Sequence, residues 1–152
     1  MIATEQDSRR VEHLHTLEQE VGVLIRRVRR VIGQRSALVH PQLQPASYLM
    51  LGYLTTHGPL RASALAEVFD IDKGAISRQI QHLEELGLVD RTPDPADGRA
   101  SLVSASADAA ARFDEVAADR RRWLDERLGD WSEEELGEFA AVLSRYNATL
   151  DL

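Results

Sequence analysis

The chain has no cysteine and a single lysine, Lys73, among its 152 residues. Without cysteine there is no disulfide, no thiolate metal site and no cysteine redox sensing. No apolar run approaches the ~18 residues of a membrane span. The polar start "MIATEQDSRR" lacks the apolar core of a signal peptide, so a cytoplasmic protein is expected. G-x-S-x-G, P-loop, G-x-G-x-x-G and H-x-x-x-H patterns are all missing, and no carboxylate pair stands out as an acid/base dyad. His13 and His15, two apart, fall on different sides of a helix, so zinc would need ligands from distant segments. No enzyme, cofactor or metal is expected. Internal repeats and low-complexity tracts are absent as well.

Positive charge is also scarce. The formal net charge is −7, divided as +2 over residues 1–40, −3 over 41–99 and −6 over 100–152. This is not the overall basic footprint of a nucleic-acid binder, so any such role must rest on where the few cations sit. What is present is ordinary for a soluble globular protein: 43% apolar and 28% charged residues. The length suits one domain or two fused subdomains.

Val11, Leu14, Leu17, Val21, Leu24, Val28 and Val31 recur at steps of three and four, predicting one striped helix over 5–33. At roughly 28 residues it would be about 42 Å long, more than a small domain needs, which points to a partner beyond its own subunit. "HPQLQP" breaks the chain, and Pro45 suits the first turn of a second helix, with Tyr48, Leu51 and Leu54 facing inward up to "HGP". A short third helix, "ASALAEVF", turns Leu65, Val68 and Phe69 inward. A fourth runs from Lys73 to about Leu86, with Asp72 as N-cap and Gly87 as stop.

Two β-prone runs, Leu88–Thr92 and Arg99–Ala105, flank a loop with two prolines and an Asp97-Gly98 pair, predicting a hairpin with an exposed tip. Ser106 caps a fifth helix to about Leu128, and Ser132 with Glu135 makes a capping box for a sixth through Leu150. The fold class is therefore mainly α with a small β-hairpin wing, a winged helix-turn-helix plus a second, helical layer. The expected division is 1–40 as an N-terminal helix, 41–105 as the winged helix-turn-helix and 106–152 as C-terminal helices.

On the fourth helix Ile76, Ile80 and Leu83 share one side, and Gly74, Arg78, Gln81 and Glu85 the other, with Ala75 and Ser77 between. The outer face is slim and hydrogen-bonding at its start. Arginine and glutamine suit guanine and adenine edges in the major groove. A helix start offers free N–H groups to a phosphate, and Gly74 and Ala75 leave room for the backbone to approach. Glu84 and Glu85 should turn away from phosphate. Arg99, on a stiff loop, suits a narrow minor groove.

"LAEVFDIDKGAISRQIQHLEELGLVDRTPDPADGRASLVSAS" resembles the MarR family of bacterial transcription regulators. The likeness rests on Leu65-Ala66, on Ser77-Arg78, on "LEELGLVDR" and on the wing "DPADGRASLV". It spans about residues 44–110, and the flanking helices agree in number and order. The resemblance implies a homodimer whose helical dimerisation layer interlocks the first, fifth and sixth helices, so that residues 1–40 hold an N-terminal dimerisation helix, 41–105 the DNA-binding domain and 106–152 the C-terminal dimerisation helices, with the second motif helix in the major groove of a palindromic operator. It also implies a wing in the minor groove and, in many members, release by a small aromatic acid bound between the layers. Carried onto this chain, it implies DNA contacts at Lys73, Gly74, Ala75, Ser77, Arg78, Gln81, Arg91 and Arg99, with Asp97 holding Arg99 in position. Arg61 stands where the family usually has a Thr or Ser cap and would add a phosphate contact. The strand after the wing, often ending Leu-Thr, here ends Ala105-Ser106.

His40 and Tyr48 lie where an effector cleft would be. "RRVRR", Arg26 to Arg30, reads as a solvated face or as partner to acids such as Glu133–Glu135. Trp123, Trp131, Phe139 and Tyr146 read as packing for the dimer layer. Two other functions stay open: a winged helix that binds a protein, and a metal-responsive regulator.

Overall fold

The computed structural model describes residues 2–151, and the side chains of residues 5–151. It divides into two compact units, residues 1–114 and 115–152. The first unit opens with helix α1 (Ile2–Val39), longer at both ends than the apolar stripe predicts. It runs on because nothing before Pro41 stops it. Val11, Leu14, Leu17, Leu24 and Val28 all stay exposed along it. Arg26, Arg27, Arg29 and Arg30 are exposed as well, and none has an ion-pair partner among the described residues.

Helix α2 (Pro45–His57) starts on Pro45, whose fixed φ suits a first turn, and buries Ser47, Tyr48, Met50, Leu51 and Leu54. Strand β1 (Leu60–Arg61) follows, too short for any two-residue alternation to reveal. Helix α3 (Ala62–Phe69) buries Leu65 and Ala66. Val68, expected inward, is 48% exposed. The buried arc of this eight-residue helix is centred between Leu65 and Ala66, which leaves Val68 on its outer flank. Asp70 closes α3 in the left-handed conformation, and a two-residue link leads to helix α4 (Lys73–Glu85).

The inner face of α4 is core: Ile76 is 1% exposed, and Ile80 and Leu83 are 0%. Beyond its end, the Leu88 N–H bonds to Leu83 O and the Gly87 N–H to Glu84 O, both at 2.9 Å. This paired closure needs a left-handed residue, and Gly87 supplies it at φ 72°.

Strands β2 (Val89–Asp94) and β3 (Asp97–Ala105) form the wing, and β1 pairs with the other edge of β3, giving the antiparallel order β1-β3-β2. The turn is Pro95-Ala96, not Asp97-Gly98 as expected. Asp94 Oδ1 accepts the Ala96 N–H at 2.9 Å, and proline at the second turn position presets the bend. Asp97 and Gly98 therefore enter β3. Helix α5 (Ala107–Arg127) begins with Ser106 Oγ accepting the Ala109 N–H at 3.2 Å.

The second unit holds the rest of α5 and helix α6 (Glu133–Leu150). Its capping box is complete: Ser132 Oγ accepts the Glu135 N–H at 3.2 Å, and Glu135 Oε2 accepts the Ser132 N–H at 2.7 Å. α6 buries no residue at all. Trp131 and Phe139 meet edge to face at 5.8 Å yet both stay exposed. No helix among the described residues is long and apolar enough to cross a membrane.

Candidate nucleic-acid interface

Helix α4 owes its first turn to Asp72. Its Oδ1 accepts the Gly74 N–H at 2.8 Å and the Ala75 N–H at 3.1 Å, and its backbone carbonyl accepts the Ile76 N–H at 3.0 Å. A carboxylate here also suits the positive end of the helix dipole. Two of the N–H groups expected to be free for a phosphate at this helix start, those of Gly74 and Ala75, are thus already taken by Asp72.

The outer face carries Lys73, Gly74, Ser77, Arg78 and Gln81, all exposed, with Ala75 half-buried beside them. Gln81 Nε2 leans on Glu85 Oε1 at 3.4 Å, one helical turn on. Arg78 folds back toward the helix start, as helical side chains do. A methyl group at Gly74 would stand 3.5 Å from Arg78 Nη1 and 3.0 Å from Asp72 Oδ1. The glycine therefore makes room for the cap, beyond any room for DNA. Gly74→Ala should leave thermal stability nearly unchanged. A helix-propensity gain of up to about 1 kcal/mol is offset by the squeezed cap. Operator affinity in a gel shift should fall several-fold, as the added methyl fills the slim helix start where the backbone approaches the groove.

The five cations of residues 41–99 separate into two kinds. Arg91 Nε bonds to Glu84 Oε1 at 2.6 Å, fastening β2 to the back end of α4. Arg61 Nε bonds to Asp94 Oδ2 at 2.5 Å. Both were expected on phosphates, and both instead meet carboxylates of their own chain. Lys73, Arg78 and Arg99 have no side-chain partner among the described residues. Of the acids, Glu84 is neutralised by Arg91, while Glu85 is exposed beside Gln81. Asp97 does act on Arg99, but through the backbone: its Oδ1 accepts the Arg99 N–H at 3.0 Å and leaves the guanidinium free.

Asp94 is the residue the sequence reasoning missed, although an Asp-Pro pair is a recognised turn signal. The Ala96 N–H and then the Arg61 guanidinium hold its carboxyl below the ordinary value of 3.8, against the opposing push of burial. A depressed folded-state pKa means that its contribution to stability is present above that value and is lost as the pH falls below it.

Both residues expected at an effector cleft have partners within the chain. Tyr48 is 7% exposed and stacks on Phe113 at 4.7 Å, and Phe113 also lies 3.0 Å from where a Cβ on Gly52 would stand. His40 Nδ1 accepts the Gln42 N–H at 3.1 Å and shapes the turn before α2. The described residues bring no three His, Cys, Asp or Glu side chains together as a metal cluster.

The sequence pattern of the MarR family matches residues 42–100, from just before α2 to just past Arg99. An uncharacterised helix-turn-helix transcriptional regulator of Bacillus subtilis, YxaD, is 34% identical over 131 residues, covering 86% of this chain and 90% of YxaD. The chain belongs to the MarR family. As a MarR-family protein it is a DNA-binding transcription regulator, and α3, α4 and the β2–β3 hairpin are its winged helix-turn-helix. The repressor NicR of Pseudomonas putida is 26% identical over 140 residues, covering 90% of this chain and 86% of NicR. The crystal structure of the MarR-family regulator SP03579 has the same fold, with a TM-score of 0.77 over 94% of this chain and 95% of that one at 20% identity.

Proposed function

We infer that this MarR-family regulator is a homodimeric repressor that reads a pseudo-palindromic operator with two copies of α4. One observation carries the reading. The outer face of α4 and the wing expose Lys73, Arg78 and Arg99, the cations of residues 41–99 whose side chains no carboxylate engages among the described residues. Lys73 and Arg99 meet phosphate and the minor groove, Arg78 reads base edges, and Ser77 and Gln81 add sequence preference. Gly74 and Ala75 keep the helix start slim, and Asp97 orients the strand that carries Arg99. Arg91 steadies the wing against α4. Repression is the sign of regulation named for the relative NicR.

Dimerisation is supported by the apolar surface that the long helices leave uncovered. Val11, Leu14 and Leu17 on α1, Trp131 just before α6, and Phe139 and Val142 on α6 are all more than two-fifths exposed. Large apolar side chains left uncovered in each unit call for a partner, and a second copy of the chain presents the same faces to itself. Residues 1–40 and 106–152 then serve association, and 41–105 serve DNA. Release by a small aromatic or hydrophobic effector belongs to this reading as a population shift between dimer geometries.

Sedimentation and a salt titration test the reading together. The chain should sediment as a dimer, and Phe139→Glu should yield monomers that lose the operator. With three free cations per subunit, log affinity should fall with log salt at a slope of about −5. A wild-type monomer that binds the operator, or a slope near zero, would overturn the proposal. A flat slope with tight binding to another protein would favour a protein-interaction module.

A further inference from the structure

Asp94 is the one buried acidic or basic side chain among the described residues, at 8% exposure. A buried carboxylate is stable only when its oxygens are satisfied, and both are. Oδ1 takes the Ala96 N–H at the tip of the wing, and Oδ2 takes Arg61 Nε. The two residues come from opposite edges of the sheet, since β1 and β2 flank β3. Arg61 and Thr92 both pair with Leu102, and Asp94 lies two residues beyond Thr92 toward the turn. The arginine side chain therefore spans β3 and takes hold of the far strand where the hairpin bends. Arg61 is also the N-cap residue of α3, and its side chain makes no cap bond there. The position that would serve a Ser or Thr as a helix cap is given over to the wing.

We propose that Arg61 and Asp94 form a brace that presets the wing, and that this brace sets operator affinity by positioning Arg99. A two-stranded hairpin is marginal by itself, and order imposed before binding is order that binding need not supply. The proposal rests on the reading of Arg99 as a DNA contact. It differs in sign from the alternative in which Arg61 itself meets a phosphate. If Arg61 is a phosphate contact, removing the charge of Asp94 frees the guanidinium and tightens binding. With a brace, the same change loosens binding.

The test uses the full-length chain and a labelled duplex selected by that chain from a random-sequence library. Arg61→Leu, Asp94→Asn and Asp94→Ala should each weaken binding by about five- to tenfold, with the salt slope unchanged. Each should cost less than about twofold in an Arg99→Ala background, as expected of side chains that act through Arg99. Hydrogen exchange at the Ala96 amide should quicken in all three variants without DNA, with the melting of the remaining fold as control. Asp94→Asn that binds as tightly as wild type, or more tightly, overturns the brace. So does a salt slope that Arg61→Leu lowers by about one per subunit, the mark of a lost phosphate contact. Arg99→Ala with wild-type affinity would remove the wing from the DNA contact and the affinity role of the brace with it. Unchanged Ala96 exchange overturns the brace whatever Arg99 does.

Discussion

Arg78→Ala is expected to weaken operator binding by about a hundredfold while leaving thermal stability within about 0.5 kcal/mol of wild type. The two halves of this expectation have separate causes. Arg78 is exposed, lies over Gly74 at the start of α4 and has no partner among the described residues. Its removal costs the fold little. On DNA, a bidentate arginine–guanine pair is worth about 1–3 kcal/mol of discrimination, and the proposed dimer makes two. Arg78→Lys separates base reading from charge. Lysine keeps the charge but lacks the planar fork, so a base-reading arginine loses most of its effect in this variant and a phosphate contact keeps it. Anisotropy titrations against the selected duplex and a scrambled one measure both. Equal affinities for wild type and Arg78→Ala would remove α4 as the reading element.

Ile80→Ala should act through the opposite face of the same helix. Ile80 is fully buried between Ile76 and Leu83 on the stripe that holds α4 to the core. Truncating such a side chain costs about 2–5 kcal/mol, from lost burial and the cavity left behind. That is a large part of the roughly 5–15 kcal/mol that stabilises a typical domain. Denaturant unfolding followed by circular dichroism should show the midpoint falling steeply. Operator binding should fall with the folded fraction, not ahead of it. A loss below about 1 kcal/mol would mean that the helix is not seated on this residue.

The helices were legible because their signals are local. Ser132 and Glu135, three apart, close a capping box wherever the rest of the chain lies, and Asp72 caps α4 by reaching only to Gly74 and Ala75. Strand β1 was not legible, because two residues carry no periodicity; its existence depends on Val103 and Leu102 being placed beside it. Val68 was misread because helical spacing alone does not say which arc of a short helix meets the core. The wing turn moved by two residues because the Asp94 side chain, not the Asp97-Gly98 pair, takes the bend.

The residue types and spacings by themselves determined the winged helix-turn-helix order, the two faces of α4 and the family to which the chain belongs, since these follow from neighbours three or four positions apart. Only the tertiary structure decided which cations remain free. Arg61 and Asp94 are 33 residues apart, and Arg91 and Glu84 are seven apart across a turn. No rule of spacing joins either pair. Ion pairs between separate elements form only once the sheet and α4 have been packed against each other, and those pairs leave Lys73, Arg78 and Arg99 without an ion-pair partner among the described residues.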